Sequence, residues 1–170
     1  MRKFLPWMIV GAVILIGYFY FKGINNTAVT LDQDVKESWG NVQTSYQRRN
    51  DLIGNLVKTV KGAADFEKST LEAVITARSK ATAVTIDPTN ITPEQLAQFN
   101  QAQSGVSSAL SRLLVTVELY PDLKANQNFL KLQDELASTE NQILTARTRF
   151  NESVKLYNRH VTIFPNNIFA

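Results

Sequence analysis

The chain begins with a long apolar run, which is followed by the pattern of amphipathic helices. No charged side chain occurs between residues 4 and 21, and basic residues stand on both sides of that stretch. As a helix, about 18 residues at ~1.5 Å each span about 27 Å, close to the hydrocarbon thickness of a bilayer. We therefore predict a transmembrane anchor at 4–22 after a short flank at 1–3. Aromatic residues of the kind found at lipid headgroups mark its ends: Phe4, Trp7, Tyr18, Phe19, Tyr20 and Phe21.

Two other interpretations of the apolar run are less favourable. A cleaved secretory signal has a shorter apolar core of about 7–15 residues and ends at small residues. Here the run ends in bulky aromatics, and the best downstream cleavage point, after Ala28, has Asn26 at a position that should be small. A soluble core helix of that length would ordinarily carry a polar face. Both comparisons favour an uncleaved anchor.

After a short polar stretch, predicted to be a linker at 23–28, apolar residues recur at alternating steps of three and four. This is the heptad spacing of helices that pack side by side, and no segment alternates like a half-buried strand. The pattern predicts four helices. Their seams are Val35, Trp39, Val42, Tyr46, Arg49, Ile53, Leu56 and Val60; Leu71, Val74, Arg78 and Ala81; Leu96, Phe99, Gln103, Val106, Leu110, Leu113, Val117 and Tyr120; and Phe129, Leu132, Leu136, Glu140, Ile143, Arg147, Phe150, Val154, Tyr157, Val161 and Phe164.

Turn and capping residues separate the seams. Gly62 interrupts the first, so the first two segments are either separate helices or one long helix bent there. The Asp-Pro pair at 87–88 predicts a loop. The third helix should begin with a capping box, in which Thr92 is the N-cap, Pro93 the first helical residue and Gln95 the reciprocal partner.

Prolines at 121 and 165 should end the third and fourth helices. Four amphipathic helices with short connections predict an antiparallel up-and-down bundle over 29–164, followed by a tail at 165–170. The longest helices would reach about 50 Å, so we expect an elongated bundle with crossing angles of roughly 20°. The predicted fold is all-α: an N-terminal transmembrane helix followed by an elongated antiparallel four-helix bundle.

Charge and composition exclude several classes of partner and chemistry. The chain has 18 basic and 15 acidic residues, but Arg2, Lys3 and Lys22 flank the anchor, which leaves the remainder neutral. Nucleic-acid binding is therefore not expected. Cysteine is absent, which excludes disulfides and thiol chemistry. The basic residues on the two sides of the anchor nearly balance, and the free amino group adds one positive charge at the N-terminal side. We therefore predict that the N-terminus lies in the cytoplasm and the bundle outside it.

Polar residues in the seams are the most informative feature of the predicted bundle. A buried charge without a partner costs several kcal/mol, so each must pair or reach water. We predict a structural buried polar network that fixes the register of the helices, with Arg49 and Glu140 as its main pair. On that basis, Glu140→Ala should lower the free energy of unfolding by about 3–5 kcal/mol. An interior pocket for a ligand or ion is the alternative. The predicted members are Arg49, Arg78, Gln103, Glu118, Glu140 and Arg147.

The sequence offers no constellation for catalysis or metal binding. A di-metal bundle needs Glu-x-x-His pairs on facing helices, whereas the single histidine, His160, stands near the end of the fourth helix. No glycine-rich phosphate-binding motif is present. We therefore expect no enzyme activity, cofactor, metal or small-molecule substrate.

Several blocks of sequence resemble the LemA family, in order and with similar spacing, from about residue 28 onward. One departure is Gly54, where the family usually carries proline; another is that the chain stops soon after the last block, where family members commonly continue. The blocks are residues 48–57, 60–62, 118–126 with Phe129, 139–147, 150–158 and 164–165.

The resemblance implies a bacterial, membrane-anchored helical bundle and supplies no catalytic residues. We expect a single-pass protein of the inner membrane, with the lipid bilayer as one partner. The predicted function is a scaffold or adaptor that assembles with itself or with a partner membrane protein. The alternative is a ligand-sensing bundle, which would have to act laterally through such a partner because only residues 1–3 precede the anchor.

Overall fold

The computed structural model describes residues 5–63 and 66–168, so Phe4 of the predicted anchor lies outside the described residues. Within these ranges the chain is helical and contains no strand, which confirms the all-α prediction. The helices are α1 (Leu5–Lys61), α2 (Lys68–Ala83), α3 (Pro93–Val117), α4 (Pro121–Lys124) and α5 (Gln127–Thr162), followed by a short 3-10 turn (Asn166–Ile168).

Helix α1 continues without a break through residues 23–28, the stretch that was expected to be a linker. Its threonine hydroxyls donate back to the helix: Thr27 Oγ1 lies 2.9 Å from the Gly23 carbonyl oxygen, and Thr30 Oγ1 lies 3.0 Å from that of Asn26. In this arrangement the polar side chains do not compete with the helical backbone bonds. With no proline in the stretch, helix propagation from both flanks outweighs the weak propensities of asparagine and threonine.

The first two predicted segments are separate helices. Helix α1 ends at Lys61, where the N–H groups of Gly62 and Ala63 bond to the carbonyls of Lys58 and Val60, and α2 begins at Lys68. The bent single helix is therefore not formed.

Helix α3 begins with the predicted capping box. Thr92 Oγ1 accepts from the Gln95 backbone N–H, and Gln95 Oε1 accepts from the Thr92 backbone N–H. The helix ends at Val117, earlier than the predicted stop at Pro121, and Pro121 instead begins the short α4. Proline is compatible with a first helical position because that N–H has no intrahelical partner.

The chain divides into two compact units, one formed by residues 1–38 and 148–170 and the other by residues 39–147. In the second unit, α1, α2, α3 and α5 run up and down around one apolar core. All four of them, and α4, contribute to it, as the predicted bundle requires. Representative core residues, at most 8% exposed, are Ile53, Leu56, Val60, Leu71, Val74, Val106, Leu113, Leu123, Phe129 and Leu136.

The first unit contains the N-terminal part of α1 and the end of α5. The large apolar side chains of α1 from Trp7 to Phe21 are exposed, whereas Ile24 is only 7% exposed. Near Ile24, the ring Nε2 of His160 on α5 lies 3.0 Å from the Ile24 carbonyl oxygen. Among the described helices, α1 alone is long and apolar enough to cross a membrane by length and composition.

Candidate functional site

The second unit has a polar cluster at its centre, built on Arg49 of α1. The Arg49 side chain is only 2% exposed. Its Nη2 donates to Oε1 and to the backbone carbonyl of Gln103 on α3, at 2.5 and 3.3 Å. Its Nη1 donates to Ser107 Oγ at 3.2 Å and to Glu140 Oε1 on α5 at 3.1 Å. One guanidinium thus joins α1, α3 and α5.

Aromatic rings enclose one side of the cluster. The Arg49 guanidinium carbon lies 4.9 Å from the centre of the Tyr46 ring, within the range of a cation–π contact. Phe99 packs edge-on against Tyr46 at 5.0 Å and against Trp39 at 5.3 Å between ring centres. These rings exclude water from the arginine, which strengthens its hydrogen bonds and makes loss of any acceptor costly.

The ion pair is asymmetric because Glu140 is far more exposed than Arg49. The Glu140 side chain is 45% exposed, and a single carboxylate oxygen contacts a single guanidinium nitrogen. Water therefore screens the carboxylate, and the contact lacks the two parallel bonds of a bidentate pair. The Gln103 oxygens are consequently the principal buried acceptors of the arginine.

Three predicted members of the network do not join it: two are exposed, and the third, Arg78, contacts the backbone of α1 instead. Arg147 is exposed on α5. Glu118 is exposed as well and pairs with Lys124 across the turn between α3 and α4. The expectation of one network that includes all three residues is therefore corrected.

Arg147 and Glu140 are exposed, contrary to the prediction, because the seam assigned to α5 differs from the face that the structure buries. The structure buries Thr139 and Ala146, each one position before the residue that was assigned to the seam. Steps of four and three still connect the buried residues, since Leu136 and Ile143 belong to both assignments. The Thr139 hydroxyl is accommodated because it donates to the Glu135 carbonyl at 2.8 Å.

Arg78 of α2 contacts the backbone of α1 and is half-buried. Its Nε donates to the Asn50 carbonyl oxygen at 2.7 Å. A Cβ added at Gly54 would lie 3.2 Å from Arg78 Nη2, so the glycine provides room for the guanidinium beside α1. Arg78 thus links α1 and α2 through a carbonyl and is separate from the Arg49 cluster.

Sequence reasoning identified Arg49, Gln103 and Glu140 but missed Ser107. The signal for Ser107 was available, because it lies four residues after Gln103 and therefore on the same face of α3. Its hydroxyl also lies 3.3 Å from the Gln103 carbonyl, as in other helical serines that bond back along the helix.

Two surface depressions lie in the second unit. A cleft of about 590 Å³ adjoins the Arg49 cluster, and Tyr46, Asn50, Phe99 and Gln103 line part of it. A groove of about 940 Å³ includes small residues of α2 and α3 such as Ala73, Ala102 and Gly105. In the part of the chain that the structure describes, no group of three or more histidine, aspartate or glutamate residues could hold a metal ion.

The chain is similar in sequence to several known proteins. The model of the LemA family matches residues 38–170. "Magnetosome protein MamQ 2" of Paramagnetospirillum magneticum is 28% identical over 162 residues, which cover 85% of this chain and 60% of that protein. "Magnetosome protein MamQ" of Magnetospirillum gryphiswaldense has the same identity and coverage. "Protein LemA" of Metamycoplasma hominis is 26% identical over 160 residues, which cover 93% of this chain and 69% of that protein.

The chain thus spans 60% of the length of the MamQ relatives. The family match includes the whole of the second unit and of α5, and therefore the Arg49 cluster. It agrees with the resemblance carried by the sequence blocks. The chain belongs to the LemA family.

Proposed function

We propose that the chain is a non-enzymatic, membrane-anchored scaffold that assembles with itself or with partner proteins at the membrane surface. One observation carries the proposal: α1 exposes its large apolar side chains from Trp7 to Phe21, while the same helix supplies core residues such as Val42, Ile53 and Leu56. A single helix therefore links an exposed apolar segment to a packed helical bundle.

The exposed part of α1 has the properties of a bilayer segment. Transfer of each large apolar side chain from water to an apolar environment gains about 1.5–3 kcal/mol. The main alternative is burial inside the protein, and the exposure of Trp7–Phe21 argues against it. The N-terminus is proposed to lie inside, in a bacterial inner membrane, with the bundle outside the cytoplasm.

Features of the second unit support assembly. Leu119 and Val115 are 78% and 71% exposed, respectively; Val115 lies in the last turn of α3 and Leu119 two residues beyond its end. An exposed apolar pair of this kind suits contact with another protein. The relatives are named as magnetosome proteins or as LemA, and none of these names denotes a reaction. This supports a non-enzymatic role.

Site-specific photocrosslinking in intact native membranes tests the proposal. A photoreactive residue at Leu119 should give a crosslinked product that mass spectrometry identifies as a second copy or as a stoichiometric membrane protein. The matched control is the same residue at Gln133, which is exposed on α5. A membrane-bound chain that yields no protein product from Leu119, or equal products from both sites, would contradict the assembly role.

Ligand sensing is the second candidate, and the cleft of about 590 Å³ beside the Arg49 cluster is the observation that favours it. A ligand that binds the folded state raises the melting temperature, whereas assembly makes stability depend on protein concentration. Thermal unfolding of the purified chain at several protein concentrations, with and without a small-molecule extract of the native cells, separates the two.

A further inference from the structure

The end of the chain carries a group of exposed apolar side chains that the bundle does not use. Ile163, Phe164 and Ile168 are 55%, 76% and 62% exposed, respectively. They belong to the C-terminal turn, defined here as residues 163–168. The last acidic residue before this turn is Glu152, and residues 161–168 carry no charge. Such a surface is costly in water but suits an apolar or interfacial environment.

Hydrogen bonds hold the C-terminal turn beside α1. Asn166 Nδ2 donates to the His160 carbonyl oxygen at 3.0 Å and lies 3.3 Å from His160 Nδ1. The other ring nitrogen of His160 lies 3.0 Å from the Ile24 carbonyl oxygen. The turn is therefore fixed next to Ile24.

Ile24 follows directly after the exposed apolar segment of α1. It lies three residues beyond Phe21, a distance of about 4.5 Å along a helix. If the apolar segment occupies the hydrocarbon, Ile24 and the turn beside it lie at the level of the headgroups.

We propose that the C-terminal turn is a second membrane contact, in which Ile163, Phe164 and Ile168 insert into the interface of the leaflet where α1 emerges. The inference rests on the anchor proposed above. Lys155 and Arg159 precede the turn and are exposed, so they can interact with anionic headgroups. The asparagine side chains of the turn remain at the polar level.

Lipid fits this surface better than a second copy of the chain does. The fixed position of the turn beside the anchor brings it to the bilayer surface in every molecule, whatever its state of assembly. The segment from 153 to 168 is basic and apolar without acidic residues, which complements an anionic lipid surface and repels its own duplicate.

Fluorescence quenching in proteoliposomes tests the contact. The absence of native cysteine allows a single labelled site in the full chain. Asn167→Cys carries an NBD dye in vesicles of phosphatidylcholine and phosphatidylglycerol that contain nitroxide-labelled lipid. Phe19→Cys reports on the anchor, and Gln133→Cys is the water-exposed reference. We expect lipid nitroxides to quench the dye at 167 and 19 but not at 133.

Each pattern of quenching has a different interpretation. Quenching at 19 without quenching at 167 overturns this inference and leaves the anchor in place. Absence of quenching at both sites overturns the anchor as well. A blue-shifted but unquenched dye at 167 means contact with protein, which also overturns the inference. In the Asn167→Cys chain, changing Ile163, Phe164 and Ile168 together to serine should reduce quenching to the level seen at 133. In the Phe19→Cys chain, the same triple change should leave quenching unaltered.

Discussion

Arg49 keeps a positive charge at the centre of an apolar bundle because acceptors from two other helices surround it. Gln103 supplies two oxygens, Ser107 one and Glu140 one. A buried arginine is tolerated only when such acceptors offset its loss of hydration. Since the acceptors come from α3 and α5, the arginine favours one register of these helices against α1. We propose that this specificity is its role.

Replacement of Arg49 should therefore be severe. Arg49→Ala leaves Gln103 Oε1 without its donor and creates a cavity, and we expect a loss of about 3–5 kcal/mol in the free energy of unfolding. The matched control is Arg48→Ala, an exposed neighbour on the same helix, which should change stability by less than about 0.5 kcal/mol. Denaturant unfolding in detergent measures both. Equal effects of the two substitutions would contradict the role of the cluster.

The half-exposure of Glu140 lowers the expected cost of its removal. The pair is not fully buried, and in Glu140→Ala the arginine retains Gln103 and Ser107 as acceptors. We now expect a loss of about 1–3 kcal/mol, and a smaller one for Glu140→Gln, which keeps an acceptor oxygen. The same unfolding measurement applies. A loss as large as that of Arg49→Ala would mean that the carboxylate is the principal acceptor.

Asp87, in the loop between α2 and α3, should titrate below its ordinary range. Its carboxylate accepts from the Thr89 hydroxyl at 2.6 Å and from the Thr89 backbone N–H at 2.8 Å, and these bonds lower the pKa of Asp87 below 3.8. The stabilising effect is complete at neutral pH and is lost as the pH falls through the lowered pKa. NMR titration of the carboxyl carbon measures it. Thr89→Val should raise the pKa, and an unchanged value would show that the hydroxyl bond is not formed in solution.

At the scale of the elements, the features that depend on neighbouring residues in the sequence could be predicted correctly. The capping box at Thr92 and Gln95 was predictable because both partners lie within four residues of each other. The seams of α1 and α3 were also correct at their centres: Tyr46, Ile53 and Val106 are buried.

Predictions failed where a choice depended on the packing of other helices. In α5, steps of three and four are compatible with Thr139 and Ala146 as well as with the predicted Glu140 and Arg147, and packing against the neighbouring helices buries Thr139 and Ala146. The linker at 23–28 was inferred from polar composition, yet these residues lie within α1. The polar composition of this stretch indicates that it is exposed to solvent. Whether the helix continues depends instead on the absence of a helix-breaking residue such as proline.

The start of α3 provides a test of the capping chemistry. Thr92→Ala removes the acceptor for the Gln95 N–H and should cost about 1 kcal/mol. Amide exchange in the first turn of α3 should accelerate. Thr85→Ala, in the exposed loop before it, is the control and should leave both quantities near those of the parent. If the two variants behave alike, the capping box does not stabilise the helix.

At the scale of the molecule, the proposed function requires one helix in two environments. Helix α1 is continuous from Leu5 to Lys61; its large apolar side chains from Trp7 to Phe21 are exposed, and further along it packs in the core. In the proposed function, the first environment is lipid and the second is the bundle. This division could be predicted from the sequence because hydrophobic length and heptad spacing are independent signals.

Accessibility of single cysteines along α1 is the most direct test of this central claim. In intact cells, a membrane-impermeant maleimide should label cysteine at Asn26 and Gln33, whereas Ile9, Ile16 and Phe19 should remain protected even after the membrane is permeabilised without detergent. Protection that ends near residue 23 is the predicted result. Labelling of Ile16 at the same rate as Asn26 would contradict the anchor. Labelling of Asn26 and Gln33 only after permeabilisation would reverse the proposed orientation.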